Sequence, residues 1–166
     1  MSMSVSRTSA GRRGLAEDVL EQRAAFLLGA IANKLVNVGG AISRRHFGIG
    51  FTEWRALVML ALEPAAAKRI CEVVGLDKAA ISRALSSLEA QGLIRPTEAT
   101  AGRRSRAYEL TDAGAAIYRR MLIASREQER RLLAGLQPGE VPVLLDMLRR
   151  VLAQIPEVEA FAPDHL

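Results

Sequence analysis

The 166-residue chain is 49% hydrophobic and 25% charged with a formal net charge of +5, ordinary globular material for one domain or a compact pair, leaning modestly toward an anionic partner. An aromatic content of 4% argues against an aromatic-rich β core, and one cysteine rules out an intrachain disulfide. That cysteine and two histidines, His46 and His165, cannot build a cysteine–histidine zinc site, and no Gly-rich phosphate loop or nucleophile motif is present. No metal, cofactor or enzymatic activity is therefore expected.

Residues 1–14, MSMSVSRTSAGRRG, lack a hydrophobic signal core and read as a disordered basic tail. No uninterrupted apolar run is long enough to span a bilayer, so a cytoplasmic protein with no membrane partner is expected. Residues 15–47 read as one long helix with Leu20, Ala24, Leu27, Ile31, Val38 and Ile42 on one side, a near-heptad stripe that invites a second helix. Beside the stripe, Gly29, Asn33, Asn37, Gly40 and Arg44 recur at spacings of four and three and make a small, polar face. Such a face suits a solvated surface, a polar helix–helix seam or a ligand pocket. A second helix, about Thr52 to Leu62, carries Trp54, Leu57, Val58, Leu60 and Ala61.

The next two segments read as a helix-turn-helix. Pro64 suits a first helical position, Ile70, Val73 and Val74 give a short helix its apolar side, and Gly75 supplies the turn. Asp77 can then cap a helix that buries Ile81, Leu85 and Leu88 and turns Lys78, Ser82, Arg83 and Ser86 outward, a small polar and basic face of the kind a major groove admits. Gly92 offers its left-handed stop. Extended segments at Ile94–Thr97 and Arg106–Leu110 flank EATAGRRS, where Gly102 permits a tight turn and Arg103, Arg104 and Arg106 can reach phosphates or a minor groove. Thr111 is a good N-cap for a long following helix, Gly135 to Pro138 breaks it, and Val141, Leu144, Leu145, Leu148, Leu152 and Ile155 mark a last amphipathic helix. The fold class expected is mainly α with a small antiparallel β-hairpin wing.

In order and spacing, GIGFTEWRAL (Gly48 to Leu57), RICEVVGLDKAAISRALSSLEAQGLI (Arg69 to Ile94) and RRSRAYELTDAG (Arg103 to Gly114) resemble the MarR family of winged helix-turn-helix transcriptional regulators. The resemblance implies a 48–114 DNA-binding region flanked by dimerisation helices at 15–47 and 115–166. It also implies a homodimer that places two recognition helices on a pseudo-palindromic double-stranded DNA operator, with half-sites about 10 bp apart. Carried over residue by residue, Lys78, Ala79, Ala80, Ser82 and Arg83 become the groove-facing positions, with Ser86 beside them and Arg103, Arg104 and Arg106 on the wing. Ala79 and Ala80 stand where hydroxyl residues are common, which shifts sequence preference toward Arg83 bonding guanine and toward the wing. Gly102 replaces the acid of the family's wing Asp-x-Arg, so the ion pair that often braces the wing is missing.

MarR-like proteins commonly take small, often aromatic, anions near the start of the second helix. That implies an effector pocket at Asn33, Asn37, His46, Trp54 and Arg55, and a repressor that the effector releases. Cys71 stands where the family has a small buried residue and reads as inert packing. A winged-helix interaction module with an acidic protein partner is the alternative function. It would present aromatic or large aliphatic anchors on the recognition helix, where this chain has Lys, Ser and Arg.

Overall fold

The computed structural model describes residues 23–97 and 106–161. The expected basic tail, the first turns of the long first helix, and Gly102, Arg103 and Arg104 lie outside these residues. The chain divides into two compact units, one ending at Met121 and the other beginning at Leu122.

In the first unit, α1 (Ala24–Phe47) is followed by Gly48, whose φ of 71° and N–H bond to the Arg44 carbonyl end the helix. Gly40 is the one buried residue of α1, and a β-carbon there would sit 3.4 Å from that of Phe51, so its smallness lets α1 approach α2 (Phe51–Leu62). After α2 the structure departs from expectation. Pro64 does not open a helix: it precedes a two-residue strand, β1 (Ala65–Ala66), and α3 (Ala67–Val74) begins after it. Pairing decides this, because Ala65 and Ala66 lie antiparallel to Tyr108 and Ala107 of β3 (Ala107–Leu110). The expected hairpin is therefore a three-stranded antiparallel sheet of order β1-β3-β2, where β2 is Ile94–Pro96. Pro96 is tolerated because β2 is an edge strand.

Between α3 and β2 lies α4 (Lys78–Ala90), joined to α3 through Gly75 at φ 69°. The core of this unit is drawn from every element of the helix-turn-helix. Ile49, Leu57, Ile70, Ile81, Leu88 and Ile94 are fully buried, and Leu60, Val74, Leu85, Leu93 and Met121 close around them. Val73, expected on the apolar side of α3, is half exposed instead, while Cys71 packs partly buried against the core. No buried side-chain polar atom among the described residues lacks a hydrogen-bond partner.

A three-way junction fastens the sheet. Gly92, at φ 69°, ends α4 with Leu93 N–H donating to the Leu88 carbonyl at 3.0 Å. Thr111 then donates its hydroxyl to the Gly92 carbonyl (2.7 Å) and its N–H to the Leu93 carbonyl (3.1 Å). The same hydroxyl accepts the Gly114 N–H at 3.1 Å, capping α5 (Asp112–Leu132) as its sequence position predicts. Gly114 is buried so closely that a β-carbon would fall 1.9 Å from the Leu93 oxygen.

In the second unit α5 continues to Leu132, and the break expected around Gly135 to Pro138 separates it from α6 (Glu140–Leu152). The last helix does not run unbroken through Ile155. It stops at Leu152, and a separate short α7 (Ile155–Glu159) starts with Pro156 in its first turn, a residue that cannot donate a bond to the preceding turn. Neither α6 nor α7 contains a buried residue, and Val143, Leu145, Met147, Leu148, Val151 and Leu152 are all exposed. Large hydrophobic side chains are likewise uncovered on α1, where Phe26, Leu27, Ile31, Leu35, Val38 and Ile42 are exposed.

Helix α1 is both long and apolar. By length and composition alone this helix could cross a membrane, with a mean hydropathy of 1.5 over its most apolar window and 6% of that window buried. Asn33, Lys34 and Asn37 interrupt the run, which is why no continuous apolar stretch stands out in the sequence.

Candidate nucleic-acid interface and effector cleft

The exposed face of α4 is set by its cap and its buried stripe. The Asp77 carboxylate accepts the Ala80 N–H at 2.8 Å, satisfying one of the free amides at the helix start and fixing where the helix begins. Ile81, Ala84, Leu85 and Leu88 are then buried, and Lys78, Ala79, Ser82, Arg83 and Ser86 are exposed. Ala80, also expected in the groove, is only partly exposed and turns toward α1 and α2. The outward surface of α4 is thus hydroxyls, one methyl and two cations, with no large apolar side chain.

At the sheet, Arg106 is exposed at the start of β3, and Arg95 and Glu109 are directly paired across the β2–β3 ladder with Nε to Oε1 at 2.8 Å. Sequence reasoning does not find this cross-strand ion pair at the base of the wing. The missing Asp at Gly102 draws attention to the tip, whereas the pairing register that joins residues 95 and 109 exists only in the folded sheet. Arg103 and Arg104 lie outside the described residues.

A cleft of about 580 Å³ opens between α1, the start of α2 and α4. Its lining includes Asn37 and Arg44 from α1, Phe51 and Glu53 from α2, and Arg83 and Ser87 from α4. The Arg44 Nη1 lies 3.5 Å from where a β-carbon on Gly50 would stand, which puts a guanidinium at the N-terminus of α2. The Glu53 carboxylate is already engaged there, accepting the Gly50 N–H in a capping arrangement. Two guanidiniums from different helices, an amide, a hydroxyl, an aromatic ring and a helix N-terminus make a site suited to a small anion with an aromatic body.

Of the effector residues expected from sequence, the cleft collects Asn37. Asn33 is exposed elsewhere on α1, and His46 is exposed in its last turn, where a basic residue complements the helix dipole. Trp54 stacks on Tyr118, ring centroids 5.6 Å apart, and packs against the core. Arg55 donates its Nη2 to the Val74 carbonyl at 2.6 Å, satisfying the C-terminal end of α3, and burial lowers its pKa from the ordinary guanidinium value. Arg44 is visible in sequence on the polar face of α1. Phe51, Glu53 and Ser87 are not singled out by it; the spacing Ala80, Arg83, Ala84, Ser87 on α4 is the available signal. Among the described residues no group of three His, Cys, Asp or Glu side chains could hold a metal ion.

A capped, exposed helix following a short helix and a glycine turn, with a three-stranded antiparallel sheet behind it, defines a winged-helix protein. Residues 47–105 match a sequence model of the MarR family. Among solved structures, a MarR/EmrR family transcriptional regulator from Acinetobacter sp. ADP1 shares 28% identity at a TM-score of 0.76, covering 83% of this chain and 98% of its own. A MarR family regulator from Listeria monocytogenes, solved with a 26mer DNA, shares the fold at 20% identity and a TM-score of 0.74, over 82% of this chain and 91% of its own. The PcaV transcriptional regulator from Streptomyces coelicolor, solved with its natural ligand, shares it at 24% identity and a TM-score of 0.66, over 81% and 94%. No curated protein matches the sequence. The chain is thus similar to the MarR family of winged helix-turn-helix transcriptional regulators, in sequence through residues 47–105 and in fold across most of its length.

Proposed function

We propose that this regulator is a cytoplasmic homodimeric repressor that binds a pseudo-palindromic operator and leaves it when a small aromatic anion occupies the α1–α2–α4 cleft. The observation that carries the DNA-binding part is the outward face of α4, where Lys78, Ala79, Ser82, Arg83 and Ser86 stand exposed on a helix whose opposite stripe is buried. Lys78 contacts the phosphate backbone, Ser82 and Ser86 donate to base edges, Ala79 meets a thymine methyl, and Arg83 bonds a guanine. Arg103, Arg104 and Arg106 bring the wing to phosphates or the adjacent minor groove. The Listeria relative bound to DNA supports this use of the fold.

Pairing uses the helices on either side of the 48–114 region, in segments 15–47 and 115–166. Two long apolar faces, on α1 and on α6, are uncovered in a single copy, more apolar surface than a lone soluble protein ordinarily leaves to water. The same faces give α1 its membrane-like composition, and a second copy covers them without a bilayer. The effector reading is supported by the two arginines in the cleft and by the ligand-bound Streptomyces relative.

Selection of bound duplexes from a random pool, followed by footprinting, tests the central claim. Enrichment of an inverted repeat protected on two successive major grooves is expected. Enrichment of no sequence over background overturns operator recognition. Transcription in vitro from a promoter carrying the selected site then gives the sign of regulation: falling transcript supports a repressor, rising transcript an activator.

A further inference from the structure

Resting on the reading of the cleft as an effector site, we propose that the effector releases DNA within a single protomer by taking the Arg83 guanidinium, so that ligand and DNA compete directly for one side chain. Arg83 belongs to two faces of α4. With Ala80, Ala84 and Ser87 it follows the three-and-four spacing that lines the cleft, and it is also exposed beside Ser82 and Ser86 on the outward face. Ala80 and Ala84 are too small to fence it off from the cleft. Across from it, α1 supplies Arg44 and Asn37, and Phe51 supplies a ring. The acid in the lining, Glu53, is turned to the Gly50 N–H of the α2 cap.

A carboxylate held between Arg44 and Arg83 occupies the planar N–H fork of Arg83, the same donors a guanine O6 and N7 would use. One guanidinium cannot make both bidentate contacts. Release then needs no change in the distance between the two recognition helices of a dimer. Binding of the ligand is worth as much differential free energy as the Arg83–base contact it replaces, which satisfies the requirement that an effector favour one state over the other.

The test uses the full-length protein. Benzoate and the hydroxybenzoates are titrated by calorimetry, with Trp54 fluorescence as a second readout, and the best binder is titrated against labelled duplexes carrying one half-site or the complete selected operator. Direct competition predicts that Arg83→Ala weakens the carboxylate about tenfold or more, with Arg83→Lys restoring part of the loss as a point charge without the fork. It also predicts that the apparent Kd for DNA rises with ligand only as far as Arg83→Ala itself raises it, and that the half-site duplex is weakened over the same ligand range as the operator. Ligand that weakens DNA binding by Arg83→Ala as much as by wild type, or an unchanged ligand affinity in Arg83→Ala while Asn37→Leu and Arg44→Ala abolish binding, overturns the competition and leaves the effector site standing. If no carboxylate binds, or Asn37→Leu and Arg44→Ala bind as well as wild type, the effector reading itself fails and the competition with it.

Discussion

At the scale of single residues, three positions in and beside the helix-turn-helix each make a separate prediction. Asp77→Ala removes the bond to the Ala80 N–H; a loss of about 1 kcal/mol is expected in urea unfolding, with the slope against denaturant unchanged. Gly114→Ala is expected to be far more damaging. Its new methyl would lie 1.9 Å from the Leu93 oxygen, a backbone atom that cannot swing aside, so soluble protein with a markedly lowered unfolding midpoint is the outcome to look for. A Gly114→Ala protein as stable as wild type would mean that the β2–α5 junction is looser than its contacts indicate. Arg83→Ala leaves the fold alone, being exposed, and should lose about 1 to 3 kcal/mol of discrimination at one operator position per half-site. Equal ratios of operator to scrambled-DNA affinity in the variant and wild type would show that Arg83 reads no base.

At the scale of elements, the wing and the long α5 can be tested by salt and by pH. Neutralising Arg103 and Arg104 should weaken binding to all sequences and flatten the salt dependence by about 0.9 in log–log slope for each phosphate no longer neutralised, and an unaltered slope would show that the wing touches no phosphate. On α5, Glu127 accepts from Arg130 and Arg131, and these bonds, Arg130's first, hold its carboxyl at about 2, well below the ordinary value. A depressed folded pKa means the clasp contributes above the ordinary carboxylate pKa and is lost as pH falls through about 2. Carboxyl carbon shifts from NMR should place the Glu127 midpoint there, and a midpoint near 4.5 would show that the clasp does not persist in solution. The two helices of the helix-turn-helix are legible in sequence because what sets them is local: Gly75 for the turn, Asp77 for the cap, Ile81, Leu85 and Leu88 for the buried stripe. Strand β1 is not, since Ala65-Ala66 has no strand character and is extended only because β3 pairs with it. The cleft is half legible. Asn37 and Arg44 share a helix face at i and i+7, whereas nothing in the order of residues reveals that Val74 claims Arg55 or that Tyr118 claims Trp54.

At the scale of the whole molecule, the apolar faces of α1 and α6 argue for a second copy. Leu145 and Leu148 are exposed in one copy, so Glu at both should cost that copy little and a dimer a great deal. Sedimentation is expected to show a monomer. Operator affinity should fall roughly 100-fold or more, because the second half-site is no longer held at high effective concentration. A dimer that persists with both substitutions would move the interface away from α6.

The knot made by Gly92, Leu93, Thr111 and Gly114 has a consequence for how freely the chain can vary. It closes the path from the end of α4 to the start of α5 on backbone carbonyls, upstream and downstream of everything between Thr97 and Arg106. The residues that make these bonds all lie outside the connection between β2 and β3. Lengthening that connection leaves these bonds in place, and the entropic part of its cost is about 0.6 kcal/mol for each doubling. Tips of other length and charge can then be grafted there without retuning the core, making the wing an interchangeable part on a fixed mount.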